Sequence, residues 1–179
     1  MDGVGLSEDG RAQAAALAAS FAGRPIAAVI SSPLQRAQET AVPIAAQLGL
    51  PVTINAGFNE IDFGEWTGRA FSALEGDPAW DAWNRFRSVA ACPGGESMLA
   101  AGVRALGAMG ALRAAYPDGE LVVVSHQDVL KALLAHLLGI PLDLFGRIAL
   151  DPAHRSVVAL WDSDVRVEGI NLPAGKRLP

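Results

Sequence analysis

The stretch VVVSHQDVL, at residues 122–130, decides the fold class because its character changes at its centre. The run of valines predicts a buried strand, and residues 127–138 have the pattern of a helix that begins directly after the Ser-His pair. A strand that leads straight into a helix is typical of α/β proteins. The sequence therefore places His126 between the carboxyl end of a strand and the start of a helix.

A second junction of this kind lies in ISSPLQRAQETA, at residues 30–41, where Ser32 and Pro33 predict a helix cap and a first helical position. Ligands bind at the carboxyl edge of open α/β sheets, and helix N-termini attract phosphate. The two junctions together predict an anion-binding site. Arg36, one turn into the helix, is a candidate to bind an oxyanion through both prongs of its guanidinium; a solvated arginine on a helix face is the alternative.

Three further residues are candidates for the site, and each also has a structural interpretation. His126 is either a phosphate ligand or general base, or a hydrogen-bonded structural histidine. Glu60 lies in a glycine-rich loop and could donate a proton near neutral pH only if burial or neighbouring charge raised its pKa; otherwise it is a surface carboxylate. Trp66 either lines the mouth of a pocket or packs with other tryptophans in a small core.

Composition and charge exclude several classes of protein. The chain has 179 residues, 51% of them hydrophobic and 18% charged, which predicts one globular domain over residues 1–179. The net charge is −5 and the basic residues are scattered, so no nucleic-acid partner is expected. Three histidines without close spacing and one cysteine give no metal site.

The same data predict a location. The single cysteine, Cys92, favours a reducing compartment. We find no signal peptide pattern before residue 10 and no apolar run of about 18 residues, so neither secretion nor a membrane span is expected. The protein is therefore expected in the cytoplasm.

The order of predicted elements indicates the architecture. Strand and helix patterns alternate along the chain, and two last strands are predicted near residues 156–161 and 165–167. This alternation predicts an α/β three-layer sandwich, with a mostly parallel central sheet flanked by helices.

Five motifs, in this order, resemble those of the histidine phosphatase superfamily, the phosphoglycerate mutase-like proteins. They are LSEDGRAQAAALA, ISSPLQRAQETA, NEIDFGEWTG, PGGES and VVVSHQDV. The resemblance covers nearly the whole chain. It implies hydrolysis of a phosphomonoester, or phosphoryl transfer, through a phosphohistidine and without a metal or other cofactor. In that scheme Arg36 binds phosphate, Glu60 donates the proton and His126 is the second histidine.

The chain departs from the family pattern at two places. Family members carry the attacking histidine in an Arg-His-Gly motif on a first strand, shortly before the segment that begins here at Leu6, and this sequence contains no such motif. The resemblance therefore implies a domain that is truncated at its N-terminus, is missing the first strand and lacks the nucleophile. Gln127 replaces the usual glycine after the histidine and could offer the phosphate an amide. His154 is a candidate for the pocket rim.

These departures leave two functional interpretations open. One is a phosphatase, of which this chain by itself is weakly active or inactive. The other is a non-catalytic relative that binds a phosphorylated ligand or a partner protein. In both, the expected ligand is a small phosphorylated molecule, and a homodimer is possible.

Overall fold

The computed structural model describes residues 3–176 of the chain. The helices are α1 (Glu8–Ala19), α2 (Gln35–Leu48), α3 (Pro78–Arg85), α4 (Met98–Ala115) and α5 (Gln127–Leu137). The strands are β1 (Ile26–Ser31), β2 (Val52–Ile54), β3 (Glu120–Val124), β4 (Arg155–Leu160) and β5 (Val165–Leu172). Short 3₁₀ turns connect them, including one over Ala56–Phe58. Pro43 lies inside an unbroken α2.

The central sheet is parallel, with the strand order β2-β1-β3. Val29 of β1 lies opposite Val52 of β2 on one side and Val122 of β3 on the other. All three strands therefore end at the same edge, and the Ser-Ser and Ser-His pairs that follow β1 and β3 become neighbours. This confirms the predicted α/β fold with a parallel sheet flanked by helices.

Two hydrophobic cores lie on the two faces of this sheet. The larger core contains Ala28 and Ile30 of β1 together with buried residues of α4 and α5. The smaller core contains Val29 of the same strand, packed against residues of α1 and α2 such as Leu17 and Ile44. The alternation of side chains along β1 thus supplies both cores, which explains the three layers.

The last two strands differ from the expected single sheet. β4 and β5 form a separate antiparallel pair. Within residues 3–176, β3 pairs with β1 along one edge and has no strand partner along the other. The sequence pattern predicted these strands, but pairing depends on contacts between residues far apart in the chain.

Helix α4 differs from the expectation that no segment of the chain has the length and composition of a membrane span. It has 18 residues with a mean hydropathy of 1.2, and among the described residues it is the one helix that has the length and composition of a membrane span. This is weak evidence for a membrane, because the core helices of soluble proteins meet the same criterion. One face of α4 packs against α5 and against the 3₁₀ turn at Ala56–Phe58.

Candidate active site

His126 lies at the carboxyl edge of the sheet, where β3 leads into α5. It is the N-cap residue of α5, and its side chain is 4% exposed. Its Nε2 atom lies 2.8 Å from the hydroxyl oxygen of Ser32, which follows β1 and is fully buried. The two strand ends that the sequence predicted as one site therefore meet through a direct hydrogen bond.

Ser32 has a different role from the predicted one. It does not cap α2, which begins at Gln35 with Leu34 as its N-cap residue. The Ser32 hydroxyl instead accepts a hydrogen bond from the N–H of Leu34 and donates one to Oδ1 of Asn59, both at 3.2 Å. The prediction of a helix cap at Ser32 was wrong because its hydroxyl is engaged with the neighbouring strand end and loop.

The His126 ring has a polar neighbour at each nitrogen. Nε2 shares a hydrogen bond with the Ser32 hydroxyl, and which of the two groups donates depends on the tautomer of the ring. Nδ1 faces the Oε2 atom of Glu60 at a distance of 3.8 Å.

Glu60 brings the three main candidates together. Its Oε2 atom lies 3.8 Å from Nδ1 of His126 and 3.7 Å from Nη2 of Arg36. The side chains of Arg36 and Glu60 are 29% and 21% exposed, so the cluster opens to solvent on the side away from His126. An arginine, a carboxyl group and an imidazole thus converge at the start of two helices.

The surroundings of Glu60 raise the pKa of its carboxyl group from 4.5 to about 7. Burial is the largest cause, and the negative charge of Asp128 adds to it. The N–H of Ile61 donates a hydrogen bond to the carboxylate and opposes this shift, as do the positive charges of Arg36 and Arg104. Glu60 can therefore hold a proton close to neutral pH.

The pKa of His126 moves in the opposite direction, from 6.5 to about 4. Burial is again the largest cause, and the positive charges of Arg36 and Arg104 act in the same sense. At neutral pH the His126 ring is therefore uncharged. Between the two pKa values the proton resides on Glu60 rather than on the imidazole.

The first turn of α5 adds donors for an anion. Its leading N–H groups have no acceptor within the helix, and the His126 side chain does not cap them. Together with Arg36 they can bind phosphoryl oxygens, while Glu60 can protonate a leaving oxygen. This is the chemistry of phosphomonoester cleavage, apart from the attacking group.

The side chains of the other candidate residues have partners outside this cluster. The side-chain amide of Gln127 donates one of its two N–H groups to the carbonyl of Leu150 at 2.5 Å. Trp66 is buried in the larger core and packs edge-on against Trp80 and Trp83, because its large apolar surface is better covered there than at a pocket mouth. His154 lies on an exposed turn, where its Nδ1 atom contacts the carbonyl of Pro152.

Sequence reasoning missed two side chains that organise the site. Asn59 binds Ser32, as described above, and Arg104 of α4 donates to carbonyl groups of the loop that ends at Glu60. Asn59 opens the NEIDFGEWTG motif but was not singled out in it, and Arg104 belongs to none of the five motifs. A glycine-rich loop with few backbone hydrogen bonds of its own was the one signal that such a partner is needed.

A search for relatives places the chain in a family. A family model described as the histidine phosphatase superfamily (branch 1) matches residues 1–173. A bifunctional protein of Mycobacterium tuberculosis is 38% identical over 160 residues, which cover 88% of this chain and 44% of that protein. The chain therefore spans less than half the length of that relative. A glucosyl-3-phosphoglycerate phosphatase of Mycolicibacterium vanbaalenii is 37% identical over 149 residues, 77% of this chain and 65% of the relative.

Solved structures agree with this family. A mycobacterial glucosyl-3-phosphoglycerate phosphatase in complex with inorganic phosphate matches with a TM-score of 0.83 and 29% identity, covering 97% of this chain and 92% of that one. The α-ribazole phosphatase of Shigella flexneri matches with a TM-score of 0.81 and 28% identity, covering 93% and 83%. The chain therefore shares its fold with phosphatases, and the cluster of Arg36, Glu60 and His126 lies in that fold. The chain belongs to the histidine phosphatase superfamily.

Proposed function

We propose that this chain carries the phosphate-binding and proton-donating groups of a phosphomonoester phosphatase that works through a phosphohistidine. The observation that supports it most is the convergence of Arg36 and His126 on one carboxyl oxygen of Glu60, within 4 Å. Relatives named as phosphatases of small phosphorylated molecules support it further. The substrate is accordingly proposed to be a small phosphomonoester.

The mechanism assigns a step to each group. Arg36 and the N–H groups of α5 bind the phosphoryl oxygens and offset their charge. A histidine nitrogen attacks phosphorus as the P–O bond to the leaving group breaks, and Glu60 transfers its proton to the leaving oxygen. Water then attacks the phosphohistidine, and the Glu60 carboxylate accepts the proton of that water. Phosphate and the free histidine result.

The attacking histidine is the group that the described residues do not bring to the site. His136 is exposed near the end of α5, and His154 lies on the turn before β4. We therefore expect the 179 residues to bind phosphate or vanadate but to hydrolyse p-nitrophenyl phosphate poorly on their own. The same observation favours, as a second candidate function, a non-catalytic protein that binds a phosphorylated ligand.

Other expectations from the sequence remain proposals. They are a cytoplasmic location, a single domain over residues 1–179, an absence of nucleic-acid and membrane partners, and a possible homodimer.

Titration calorimetry with phosphate and vanadate tests the site. Arg36→Gln should abolish binding, whereas Arg113→Gln should retain it, because Arg113 lies on α4 and pairs with the exposed Asp162. Absence of binding to the unaltered chain would contradict the proposal. Robust hydrolysis of p-nitrophenyl phosphate that disappears in His126→Ala would instead identify His126 as the nucleophile.

A further inference from the structure

We propose that Arg104 is a positioning residue, whose guanidinium fixes the loop before Glu60 and thereby holds the Glu60 carboxyl group between Arg36 and His126. The catalytic meaning of this position rests on the proposed function, but the contacts themselves do not. Arg104 touches neither Arg36 nor His126 by any hydrogen bond or ion pair found in residues 3–176.

Arg104 reaches the loop through its outer nitrogens. Nη1 donates to the carbonyl oxygens of Ala56, Gly57 and Asn59 at 3.2, 2.9 and 3.1 Å. Nη2 lies 3.5 Å from the carbonyl oxygen of Glu60 itself. One side chain therefore bonds to four of the five residues from Ala56 to Glu60, the proton donor.

The other edge of the guanidinium binds Glu96 of the PGGES segment. Nε lies 3.1 Å from one carboxylate oxygen of Glu96 and Nη2 lies 2.9 Å from the other, so the pair is bidentate. The backbone N–H of Glu96 in turn donates to the carbonyl of Asp62 at 2.8 Å. Arg104 and Glu96 thus hold the loop on both sides of Glu60 in sequence.

The loop packs against α4 at Gly57 but is open beside Asn59 and Glu60. A cavity of about 470 Å³ opens there, and Asn59, Glu60, Glu96 and Arg104 are among the residues that line it. On the opposite side, the Ser125 hydroxyl donates to the carbonyl of Phe58 at 2.8 Å. The loop is therefore hydrogen-bonded to Ser125, which follows β3, on one side and to α4 on the other. Arg104 supplies the hydrogen bonds to α4.

The geometry needs an arginine rather than a positive charge alone. A guanidinium has five N–H donors on a rigid plane, which allows it to bind a carboxylate at one edge and carbonyl groups at the other. A lysine has one ammonium nitrogen and cannot span both partners. Arg104→Lys therefore retains the positive charge near Glu60 and removes the hydrogen bonds that hold the loop. The variant thus separates the electrostatic effect of residue 104 from its positioning effect.

The test is a pH titration of the Glu60 carboxyl carbon by NMR in the full-length protein, with Glu60→Gln to identify the signal. In Arg104→Lys the released carboxyl should be better hydrated, so its pKa should fall from about 7 toward its ordinary value of 4.5. Arg113→Lys, on the same helix, should titrate like the unaltered protein. An unchanged titration in Arg104→Lys would overturn the proposal.

A second variant covers the case in which Arg104→Lys does not fold. Glu96→Gln keeps the shape of the partner and weakens the bidentate pair, so it should shift the Glu60 titration in the same direction by a smaller amount. If Glu96→Gln leaves the titration unchanged, the proposal fails.

Turnover distinguishes this inference from the proposed function. In Arg104→Lys, hydrolysis of an alkyl phosphate should fall about 10- to 100-fold, because its leaving oxygen needs a well-placed acid, while p-nitrophenyl phosphate, with a good leaving group, should be affected far less. Equal losses for both substrates would indicate a merely structural role. Because the 179 residues are expected to hydrolyse such substrates poorly, this comparison uses the residual turnover that they show. Absence of phosphate and vanadate binding would contradict the proposed function, and the NMR titration decides the role of Arg104 in either case.

Discussion

At the scale of single residues, Glu60 and His126 reverse the usual order in which a carboxyl group and an imidazole lose their protons. Burial raises the pKa of Glu60 to about 7 and lowers that of His126 to about 4. Each buried group avoids its charged form, so the pair is neutral in mildly acidic solution. This makes Glu60 a proton donor and leaves the His126 ring free to accept a hydrogen bond.

The two shifts affect stability with opposite signs. The folded state binds the Glu60 proton more tightly than the unfolded chain does, so that group stabilises the fold as the pH falls from 7 to 4.5. The unfolded chain binds the His126 proton more tightly, so that group destabilises the fold as the pH falls from 6.5 to 4. Each contribution is on the order of 3 kcal/mol, and the two largely cancel in the unaltered protein.

Single variants should expose the two contributions. Relative to the unaltered protein, Glu60→Gln should lose about 3 kcal/mol of unfolding free energy as the pH is lowered from 7 to 4.5, and His126→Gln should gain a similar amount from 6.5 to 4. Urea unfolding at a series of pH values measures both. Parallel pH profiles for the two variants would contradict the assigned protonation states.

The sequence singled out residues in strand-to-helix junctions and motifs, and their roles stay predictions. Arg36, Glu60 and His126 lie in such segments, and the structure brings them together. Trp66 was ambiguous because an aromatic residue suits both a pocket and a core. Ser32 was misassigned, since cap and ligand-site serines have the same local sequence and differ only in their distant partners.

At the scale of elements, the loop of residues 56–60, which ends at the proton donor Glu60 and is called the acid loop below, approaches α4 unusually closely at Gly57. A Cβ atom at this position would collide with the Cβ atom of Ala108, which lies one helical turn after Arg104 on the same face of α4. The absence of a side chain at Gly57 thus allows the loop to reach Arg104. The loop and α4 therefore form one structural unit.

This close approach predicts a compensating pair of variants. Gly57→Ala should destabilise the fold by about 1–3 kcal/mol, because the added methyl group forces the loop away from α4. Ala108→Gly alone should cost about 1 kcal/mol, because glycine destabilises a helix. In the double variant it also removes the colliding atom, so the total loss should be smaller than the sum of the two single losses. Thermal unfolding of both single variants and the double variant measures the coupling, and simple additivity of the losses would contradict the contact.

Element boundaries were easier to predict from sequence than element partners. Ser97, the last residue of the PGGES motif, is the N-cap of α4, and its hydroxyl accepts from the N–H of Ala100 at 3.0 Å. The separation of β4 and β5 from the parallel sheet was not predicted, because alternating apolar residues favour a strand without specifying its neighbour. The position of α4 beside the acid loop depends in the same way on contacts, at Gly57 and Arg104, between distant parts of the chain.

At the scale of the whole molecule, the central sheet links the two cores. Ile30 of β1 belongs to the larger core and Val29, the next residue along the chain, belongs to the smaller one. Val122 of β3 likewise contributes to the smaller core, while its neighbours Leu121 and Val123 pack against the larger. Loss of either core would therefore leave one face of β1 and β3 exposed to water.

This sharing predicts one cooperative unfolding transition. Trp66, Trp80 and Trp83 report on the larger core, whereas circular dichroism at 222 nm also reports on α1 and α2 around the smaller core. In a Trp161→Phe variant, which removes the half-exposed tryptophan, the two signals should change at the same urea concentration. An earlier loss of helical signal would show that α1 and α2 unfold separately. In that case, Arg36 on α2 would leave the site while His126 and Glu60 remained in place, and phosphate binding would be lost before the larger core unfolds.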